Sequence, residues 1–156
     1  MFRELARKKQ KLSDTECKEI LKQEVRGVLA VNGDNGYPYA LPINFYFDEA
    51  NNRIYFHSGK VGYKLDAIAK SDKVSFCVYD KGCHKNGHWS LDIKSVIIFG
   101  RIHIVLEWSD ELMVELSKKF TTDMDYIHNE IEKFRKNTAV LCLEIEYMTG
   151  KLVNEA

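Results

Sequence analysis

RIYFHSGKVGYKLDAI, residues 53–68, joins a strand pattern to a helix pattern, and the rest of the fold can be worked outward from it. Isoleucine, tyrosine and phenylalanine follow the opening arginine, which is typical of a strand. Leu65 and Ile68 then recur at helical spacing and predict a short helix over roughly 62–70. The turn between the two patterns holds a histidine, a serine, two glycines and two lysines. Polar and flexible residues therefore lie where a helix begins.

The start of this helix has the features of a binding site for a phosphate-like anion. A helix N terminus presents unpaired N–H groups and about half a positive charge. Ser58 adds a hydroxyl group, and Lys60 and Lys64 add positive charge. Gly59 and Gly62 would let a ligand approach the backbone closely. The alternative is that the lysines are solvated and the glycines only form a turn, since the sequence contains neither a Walker phosphate loop nor a G-x-G-x-x-G fingerprint.

The residues before this stretch predict an antiparallel meander of three strands. NGDNG at 32–36 and DEANN at 48–52 are turn signals between strand-like runs. Pro38 and Pro42 cannot donate hydrogen bonds to a neighbouring strand, so the run over 37–47 is expected at a sheet edge or interrupted there. Interrupted pairing at Pro42 would leave backbone groups free to bind a ligand.

Elsewhere the pattern alternates between strands and short helices. Ser13 and Glu16 form a capping-box pattern for an N-terminal helix, and Gly100 predicts a bulge or bend in the longest strand. Further strands are predicted at 73–80, 94–108 and 138–147, and further helices at about 109–120 and 123–135. About six mostly antiparallel strands predict a small β-barrel with peripheral helices. The 156 residues are expected to form a single domain over 1–156.

Composition argues against several classes of protein. Lysine plus arginine and aspartate plus glutamate both number 23, so the formal net charge is zero, which does not favour a nucleic-acid binder. No apolar stretch approaches the roughly 20 residues needed to cross a bilayer. The N-terminal residues also lack the apolar centre of a secretory signal, so a cytoplasmic protein with reduced thiols is expected. The cysteines are Cys17, Cys77, Cys83 and Cys142.

The loop KGCHKNGHWSLD, residues 81–92, brings Cys83, His84 and His88 close together in the sequence. A structural zinc site needs ligands that converge in tetrahedral geometry, and this spacing is not a C-x-x-C pattern. No metal site is therefore predicted, and the loop is expected to be solvated. The alternative is that His88 and Trp89 shape access to a ligand pocket.

Several segments together resemble one protein family. They are GYPYALPINFYF (36–47), RIYFHSGKVGYKLDAI (53–68), KVSFCVYD (73–80), KSVIIFGRIHIV (94–105) and YMTGK (147–151). P-x-N-F, followed by Y-F-H-S-x-x-x-G-x-K and then S-V-x-x-x-G-R, is similar to the pyridoxamine 5′-phosphate oxidase-like flavoproteins. The resemblance points to the branch that includes nitroimidazole-resistance (Nim-type) proteins.

This resemblance implies a fold and a set of cofactor-binding residues. The fold would be a six-stranded antiparallel split β-barrel, mainly β with peripheral helices, that binds flavin mononucleotide (FMN). Such proteins are usually homodimers with two flavin sites in the interface. Carried over position by position, the cofactor-binding residues are Pro42, Ile43, Asn44, Phe45, His57, Ser58, Lys64, Ser95 and Val96.

Each of these residues has an implied role. Ser58 and Lys64 would hold the FMN phosphate, with His57 next to it. The segment 42–45 would lie along the isoalloxazine ring and contact its polar edge largely through backbone groups, and the pair at 95–96 would also contact the flavin. His57 is the candidate catalytic proton donor, because histidine titrates near neutral pH. The alternative for His57 is a residue that only positions Ser58 or packs beside the phosphate.

Three functions remain open at this point. The first is an FMN-dependent oxidoreductase that passes electrons from a reductant such as NAD(P)H to a small electron-poor acceptor, for example a nitroaromatic. The second is a non-catalytic protein for flavin binding, storage or electron transfer. The third is a phosphate- or nucleotide-binding regulatory domain without flavin. Vitamin B6 oxidation is not expected, because KLVNEA, residues 151–156, lacks the basic C-terminal segment that the oxidases use on the substrate phosphate.

Overall fold

The computed structural model describes residues 1–85 and 87–155 and consists mainly of one antiparallel sheet. The strands are β1 (Arg26–Asn32), β2 (Pro38–Asn44), β3 (Tyr46–Asp48), β4 (Arg53–Gly59), β5 (Lys73–Tyr79), β6 (Cys83–His84), β7 (Leu91–Val105) and β8 (Thr138–Glu155). The α-helices are α1 (Asp14–Gln23), α2 (Tyr63–Lys70), α3 (Asp110–Lys118) and α4 (Met124–Phe134). The expected fold class, mainly β with peripheral helices, is confirmed.

The order of the strands explains why the sheet curls. Neighbouring strands follow the order β2-β1-β5-β7-β8-β4-β3, so β2 and β3 form opposite edges. Only Phe45 separates these two strands in the chain, so both edges must lie side by side. The sheet therefore rolls into a barrel that is split between β2 and β4, which lie against each other there.

The strand count is eight rather than six, for two reasons. The run over 37–47 is divided into β2 and β3, and a two-residue strand, β6, pairs with the start of β7. The predicted three-strand meander is wrong, because β2 pairs with β1 whereas β3 pairs with β4 at the other edge. A turn signal shows that two runs are connected, but the partner of a strand depends on the whole sheet.

The predicted edge position of the second strand is confirmed, but the break lies elsewhere. Pro38 and Pro42 are both within β2 and pair with Asn32 and Val28 of β1. The sheet tolerates them because β2 is an edge strand. Pairing is interrupted at Phe45, three residues after Pro42, where the backbone N–H instead donates to Val25 O at 3.2 Å.

Strands β7 and β8 form the long central hairpin. They pair from Leu91 with Glu155 to Val105 with Val140, and a register shift falls between Phe99 and Gly100. The bulge predicted at Gly100 is therefore confirmed. A Cβ at this position would come within 2.1 Å of Glu144 O, so the close approach of the strands requires glycine.

The helices begin where the sequence indicates. Ser13 and Glu16 make the predicted capping box of α1, and Ser109 and Asp123 cap α3 and α4. Helices α1 and α2 contribute to the core inside the barrel. Its centre contains Phe45, Phe56 and Phe76, whose rings meet edge to face.

Helices α3 and α4 build a second apolar cluster outside the barrel. They cover Trp108 and Val140, so the first half of β8 is buried on both faces. The outward side chains of β1, β5 and the first half of β7 instead form a sheet surface that these helices leave uncovered, which we call the outer face. It exposes Tyr79, Ile97 and Phe99. Within the described residues, no helix is long and apolar enough to cross a membrane.

Candidate functional site

At the end of β4, the side chains of His57 and Ser58 lie on opposite faces of the strand. Ile54, Phe56 and Ser58 point into the barrel, because strand residues alternate, and Ser58 is 7% exposed. Ser58 Oγ donates to Gly59 O at 2.9 Å. His57 points outward and is exposed. The histidine and the serine are thus adjacent in the chain but reach the end of the strand from different sides.

The N terminus of α2 follows directly. Gly62 is its N-cap with φ of 139°, and no described side chain caps this end of the helix. The N–H groups of Leu65 and Asp66 both donate to Gly62 O, at 3.0 and 3.2 Å. The earlier N–H groups of the first turn belong to the set that a helix leaves without an internal partner. This end therefore presents backbone donors and partial positive charge.

Two positively charged side chains were expected at this helix, and they differ in exposure. Lys60 lies in the turn before α2 and is exposed, whereas Lys64 lies in the first turn of α2 and is half-buried. Lys64 lies close enough to His57 to influence its titration. Although His57 is open to solvent on one side, the protein packed around its ring desolvates the imidazole and lowers its pKa below the ordinary 6.5, and the positive charge of Lys64 lowers it further. His57 is therefore neutral near pH 7 and offers one nitrogen as donor and one as acceptor.

The segment 42–45 offers mainly backbone and one amide. Pro42 is exposed, Ile43 and Asn44 are half-buried, and Asn44 Oδ1 accepts from Arg26 Nε at 2.8 Å. The side chain of Phe45 is fully buried in the core, so only its backbone could reach a ligand. That flavin contacts here run largely through backbone groups stays a prediction.

Lys119 fixes the position of Phe45 at the split. Its Nζ lies 3.9 Å from the centre of the Phe45 ring and donates to Glu24 O at 2.7 Å. Desolvation lowers the pKa of Lys119 to about 8. The contact ties the end of α3 to the end of α1 and to the point where β2 becomes β3.

Ser95 and Val96 lie on the first half of β7, on opposite faces. Val96 is fully buried in the core, and only the half-buried Ser95 points to the outer face. Along β8, Ser95 pairs with Lys151 whereas Ser58 pairs with Ala139, so the hairpin itself keeps the two serines far apart.

Because the sheet curls, a second path across β7, β5, β1 and β2 also leads from Ser95 to the end of β4. Ser95 pairs with Tyr79, and the β1–β5 ladder extended by two residues places Tyr79 beside Arg26, which pairs with Asn44. Three strand spacings, about 14 Å, therefore separate Asn44 from Ser95 across the outer face. Since β2 lies against β4 at the split, this row of side chains ends near His57.

Comparisons with known proteins identify the family. A profile of the pyridoxamine 5′-phosphate oxidase family matches residues 13–152. The chain belongs to the pyridoxamine 5′-phosphate oxidase family. No curated protein matches the sequence significantly.

Solved structures with the same fold include members with different assignments. A candidate 5-nitroimidazole antibiotic resistance protein from Bacteroides thetaiotaomicron has 19% identity and a TM-score of 0.74, over 93% of this chain and 87% of that one. An FAD-binding protein from Mesorhizobium loti has 21% identity and a TM-score of 0.63, over 92% and 97%. An FAD-binding protein from Mycobacterium smegmatis has 21% identity and a TM-score of 0.61, over 92% and 98%. These likenesses establish the split-barrel fold for the family member described here.

The structure also adds residues to the candidate site that sequence reasoning missed. Arg26 and Tyr79 complete the row between Asn44 and Ser95. Alternation along β1 and β5 gives the face on which each of them lies, but the register between strands is needed to place them together. A cavity beside His57, lined largely by α3 and α4, was also missed.

The loop over 81–92 has a structural role where it is described, and Asn86 lies outside the described residues. His84 Nδ1 is 3.2 Å from Ser90 O, and Asp80 Oδ1 accepts from the N–H groups of Gly82 and Lys94 at 3.0 Å each. Among the described residues, no group of three or more histidine, cysteine, aspartate or glutamate side chains could hold a metal ion.

Proposed function

We propose that this member of the pyridoxamine 5′-phosphate oxidase family is an FMN-binding flavoprotein. The observation that carries the proposal is the N terminus of α2, which no described side chain caps and which holds the half-buried Lys64 in its first turn. A positive charge at this position is unfavourable by about 0.3–1 kcal/mol against the helix dipole. A phosphate between the helix end and Lys64 would turn that repulsion into attraction.

The space around this turn fits a phosphate. Nothing lies within 4 Å of a Cβ built at Gly62, and its φ of 139° is one that other residues rarely adopt. A ligand can therefore approach the backbone closely there. Ser58 Oγ, which now donates to Gly59 O, would need to rotate in order to donate to a phosphate oxygen.

The flavin ring is proposed to lie across the outer face, from the segment 42–45 toward Ser95. Backbone groups for the ring would come from β2, whose position at the edge of the sheet leaves one row of its groups without a neighbouring strand. The N–H of Phe45 is not among them, because it donates to Val25 O. Arg26 would add positive charge beside the ring while holding the side-chain amide of Asn44 in place. His57, being neutral near pH 7, would donate one hydrogen bond and accept another at the phosphate end of this row, which suits the positioning role better than that of a proton donor.

The proposed activity is that of an oxidoreductase. FMN, when bound, supplies transfer of electrons from a donor such as NAD(P)H to a small electron-poor acceptor. The chain's residues bind and orient the cofactor and keep water away from it. The fold shared with the candidate 5-nitroimidazole resistance protein of Bacteroides thetaiotaomicron supports a nitroaromatic as the acceptor to try first.

A homodimer is also proposed, with the flavin near the subunit contact. The outer face exposes Ile97 and Phe99 at 38% and 39% and Tyr79 at 56%. Exposed apolar side chains that share one sheet surface are a feature of subunit contacts. A second copy packed on this surface would cover the row between Asn44 and Ser95.

The experiment that tests the proposal begins with the purified protein itself. Yellow protein that releases FMN on denaturation, or colourless protein that takes up added FMN, is the expected result. Anaerobic reduction by NADPH or NADH, followed by reoxidation with metronidazole, then tests the activity. Flavin-loaded protein without turnover would leave the non-catalytic flavin carrier as the function. Colourless protein that ignores FMN and binds only inorganic phosphate would overturn the flavin proposal.

A further inference from the structure

A cavity of about 340 Å³ lies behind His57, between helices α3 and α4 and the strands β4 and β8. Its walls are mostly apolar and aromatic. They are formed by Trp108, Met113, Leu116, Phe120, Ile131 and Phe134. This volume is within the range of small-molecule sites, which are concave and largely apolar.

Trp108 forms a rigid wall of this cavity. The residue is 9% exposed, and its indole N–H donates to Thr138 O at 3.1 Å. The guanidinium of Arg135 lies 4.5 Å from the centre of the indole ring. The hydrogen bond and the cation–π contact hold the ring in one orientation without a ligand, so binding would not need to order it.

The cavity also has a way in from solvent. Phe120 and Phe134 line it but are 49% and 45% exposed, so they stand at its rim. Lys133 Nζ lies over the Phe134 ring at 4.9 Å and is outside the lining. A flat molecule can therefore reach Trp108 by passing between two exposed aromatic side chains.

The charges of the lining limit what can bind. Glu130 is the single acidic side chain among the described lining residues, and none of them is lysine or arginine. Lys133 Nζ is 3.9 Å from Glu130 Oε1, at the outer limit of an ion pair. His57 also lines the cavity and is neutral near pH 7. The nearby cations lie outside the lining and already have acidic partners, Asp110 for Arg135 and Glu130 for Lys133. A buried anion would thus lose its hydration without gaining an unengaged positive partner among the described lining residues.

We propose that this cavity binds a planar aromatic molecule that carries no negative charge. Aromatic walls and a fixed indole ring favour a flat apolar ligand, and Glu130 tolerates a positive charge but repels a negative one. Phosphorylated B6 compounds, which the family name suggests, do not fit these walls. The inference deepens the proposed function, on which it rests, because an aromatic acceptor held here would lie beside His57, at the end of the proposed flavin site.

Three para-substituted nitrobenzenes of nearly equal size test whether the cavity rejects a negatively charged ligand. They are 4-nitrobenzyl alcohol, 4-nitrobenzylammonium and 4-nitrobenzoate, titrated into the full chain carrying Trp89→Phe. Trp89 is 79% exposed, so this change leaves Trp108 as the reporter among the two tryptophans, and nitroaromatics quench its emission. The neutral and cationic probes are expected to bind at least about tenfold more tightly than the anion, because burying the carboxylate is costly.

Three variants locate the binding. Ser117→Phe places a ring in the cavity and is expected to weaken the neutral probe about tenfold or more. Its control, Lys118→Phe, adds the same ring at an exposed position that does not line the cavity and should change nothing. Glu130→Gln should weaken the cationic probe and leave the neutral one unchanged. If Ser117→Phe fails to fold by circular dichroism, Ser117→Leu takes its place.

The outcomes separate this inference from the proposed function. Probe binding without any FMN binding would support the cavity and overturn the flavin site. Equal affinity for the three probes, or a neutral probe that ignores both Ser117 variants, would overturn the cavity. Competition between the neutral probe and FMN would also overturn it, since the space would then belong to the flavin. Absence of quenching by every probe would likewise overturn the cavity as a binding site.

Discussion

The charge of Lys64 is unfavourable at the position that this side chain occupies. It lies in the first turn of α2, where the helix dipole favours negative charge, and it is half-buried. The unfavourable dipole and the partial burial of Lys64 both call for a compensating negative partner. Lys60, three residues before α2 begins, is exposed to solvent and needs none. The difference in burial between these two lysines leads to a direct test.

Lys64→Ala is expected to weaken FMN binding by about 1–3 kcal/mol, the scale of a charge-assisted hydrogen bond to phosphate. Fluorescence titration of FMN measures the effect, because free FMN is fluorescent and bound FMN is commonly quenched. Lys60→Ala removes the same charge from the exposed turn and should weaken binding much less. Equal losses in the two variants would mean that only the net charge of the turn matters.

His57 predicts a pH dependence of stability. Its pKa is lowered in the folded protein, so the unfolded chain takes up a proton first as the pH falls below 6.5. The stability from neutral His57 is therefore present above pH 6.5 and is lost as the pH falls through its lower folded pKa. His57→Gln should lose less stability than wild type between about pH 7.5 and about pH 5.

Urea unfolding at both pH values measures this difference. His103→Gln removes an exposed histidine from β7 and serves as the control. If wild type and His57→Gln lose the same stability on acidification, His57 does not carry the effect. The result would then also weaken the assignment of His57 as a neutral group beside the proposed FMN phosphate.

Sequence patterns predict which residues of the candidate site lie together where one local element contains them. The turn after β4 and the start of α2 are read from neighbouring residues, so Ser58, Gly62 and Lys64 could be placed together in advance. Arg26 and Tyr79 could not, because their position beside Asn44 depends on strand register. The side chains of Phe45 and Val96 turned out to lie in the core, since each falls on the inward phase of its strand.

At the scale of elements, the bulge in the β7–β8 hairpin is a point of close backbone approach. The Cβ that an alanine would add at Gly100 lies 2.1 Å from Glu144 O and 2.9 Å from Leu143 Cδ1. A backbone atom cannot move aside as the end of a flexible side chain can. The hairpin must therefore shift its register or separate.

Gly100→Ala is expected to lower the free energy of unfolding by at least about 2 kcal/mol, toward the upper range of overpacking substitutions. Gly59→Ala is the control within another strand, because the nearest atom to its added Cβ is Val61 O at 3.9 Å. That change should remain within about 0.5 kcal/mol. Chemical denaturation of both variants measures the difference, and similar values would show that the hairpin adapts.

Element types were predicted better than element partners. The capping box, the turns at 32–36 and 48–52 and the bulge at Gly100 are local signals, and the structure contains all of them. The three-strand meander failed because the run over 37–47 serves both edges of the barrel. Loop signals also could not reveal β6, whose two residues pair only because β7 begins early at Leu91.

At the scale of the whole molecule, the proposed dimer depends on the outer face. Ile97→Glu places a charge at the centre of its exposed apolar side chains and is expected to convert a dimer into monomers. Sedimentation velocity measures the oligomeric state. Leu106→Glu is the control, since Leu106 is 64% exposed outside β7 and away from that face. A wild-type monomer, or an Ile97→Glu variant that remains dimeric, would contradict the proposal.

The central place of β8 has a consequence for how the protein is made. β8 is the connection between β7 and β4, so without it the sheet consists of two separate parts, β2-β1-β5-β7 and β4-β3. It is also synthesised after every other strand. During synthesis, the nascent chain therefore contains two sheet fragments that are not yet joined and that expose strand edges. They can join only after Thr138 and the residues that follow have left the ribosomal exit tunnel. Slowing translation upstream of Thr138 should then increase aggregation rather than help the barrel to close.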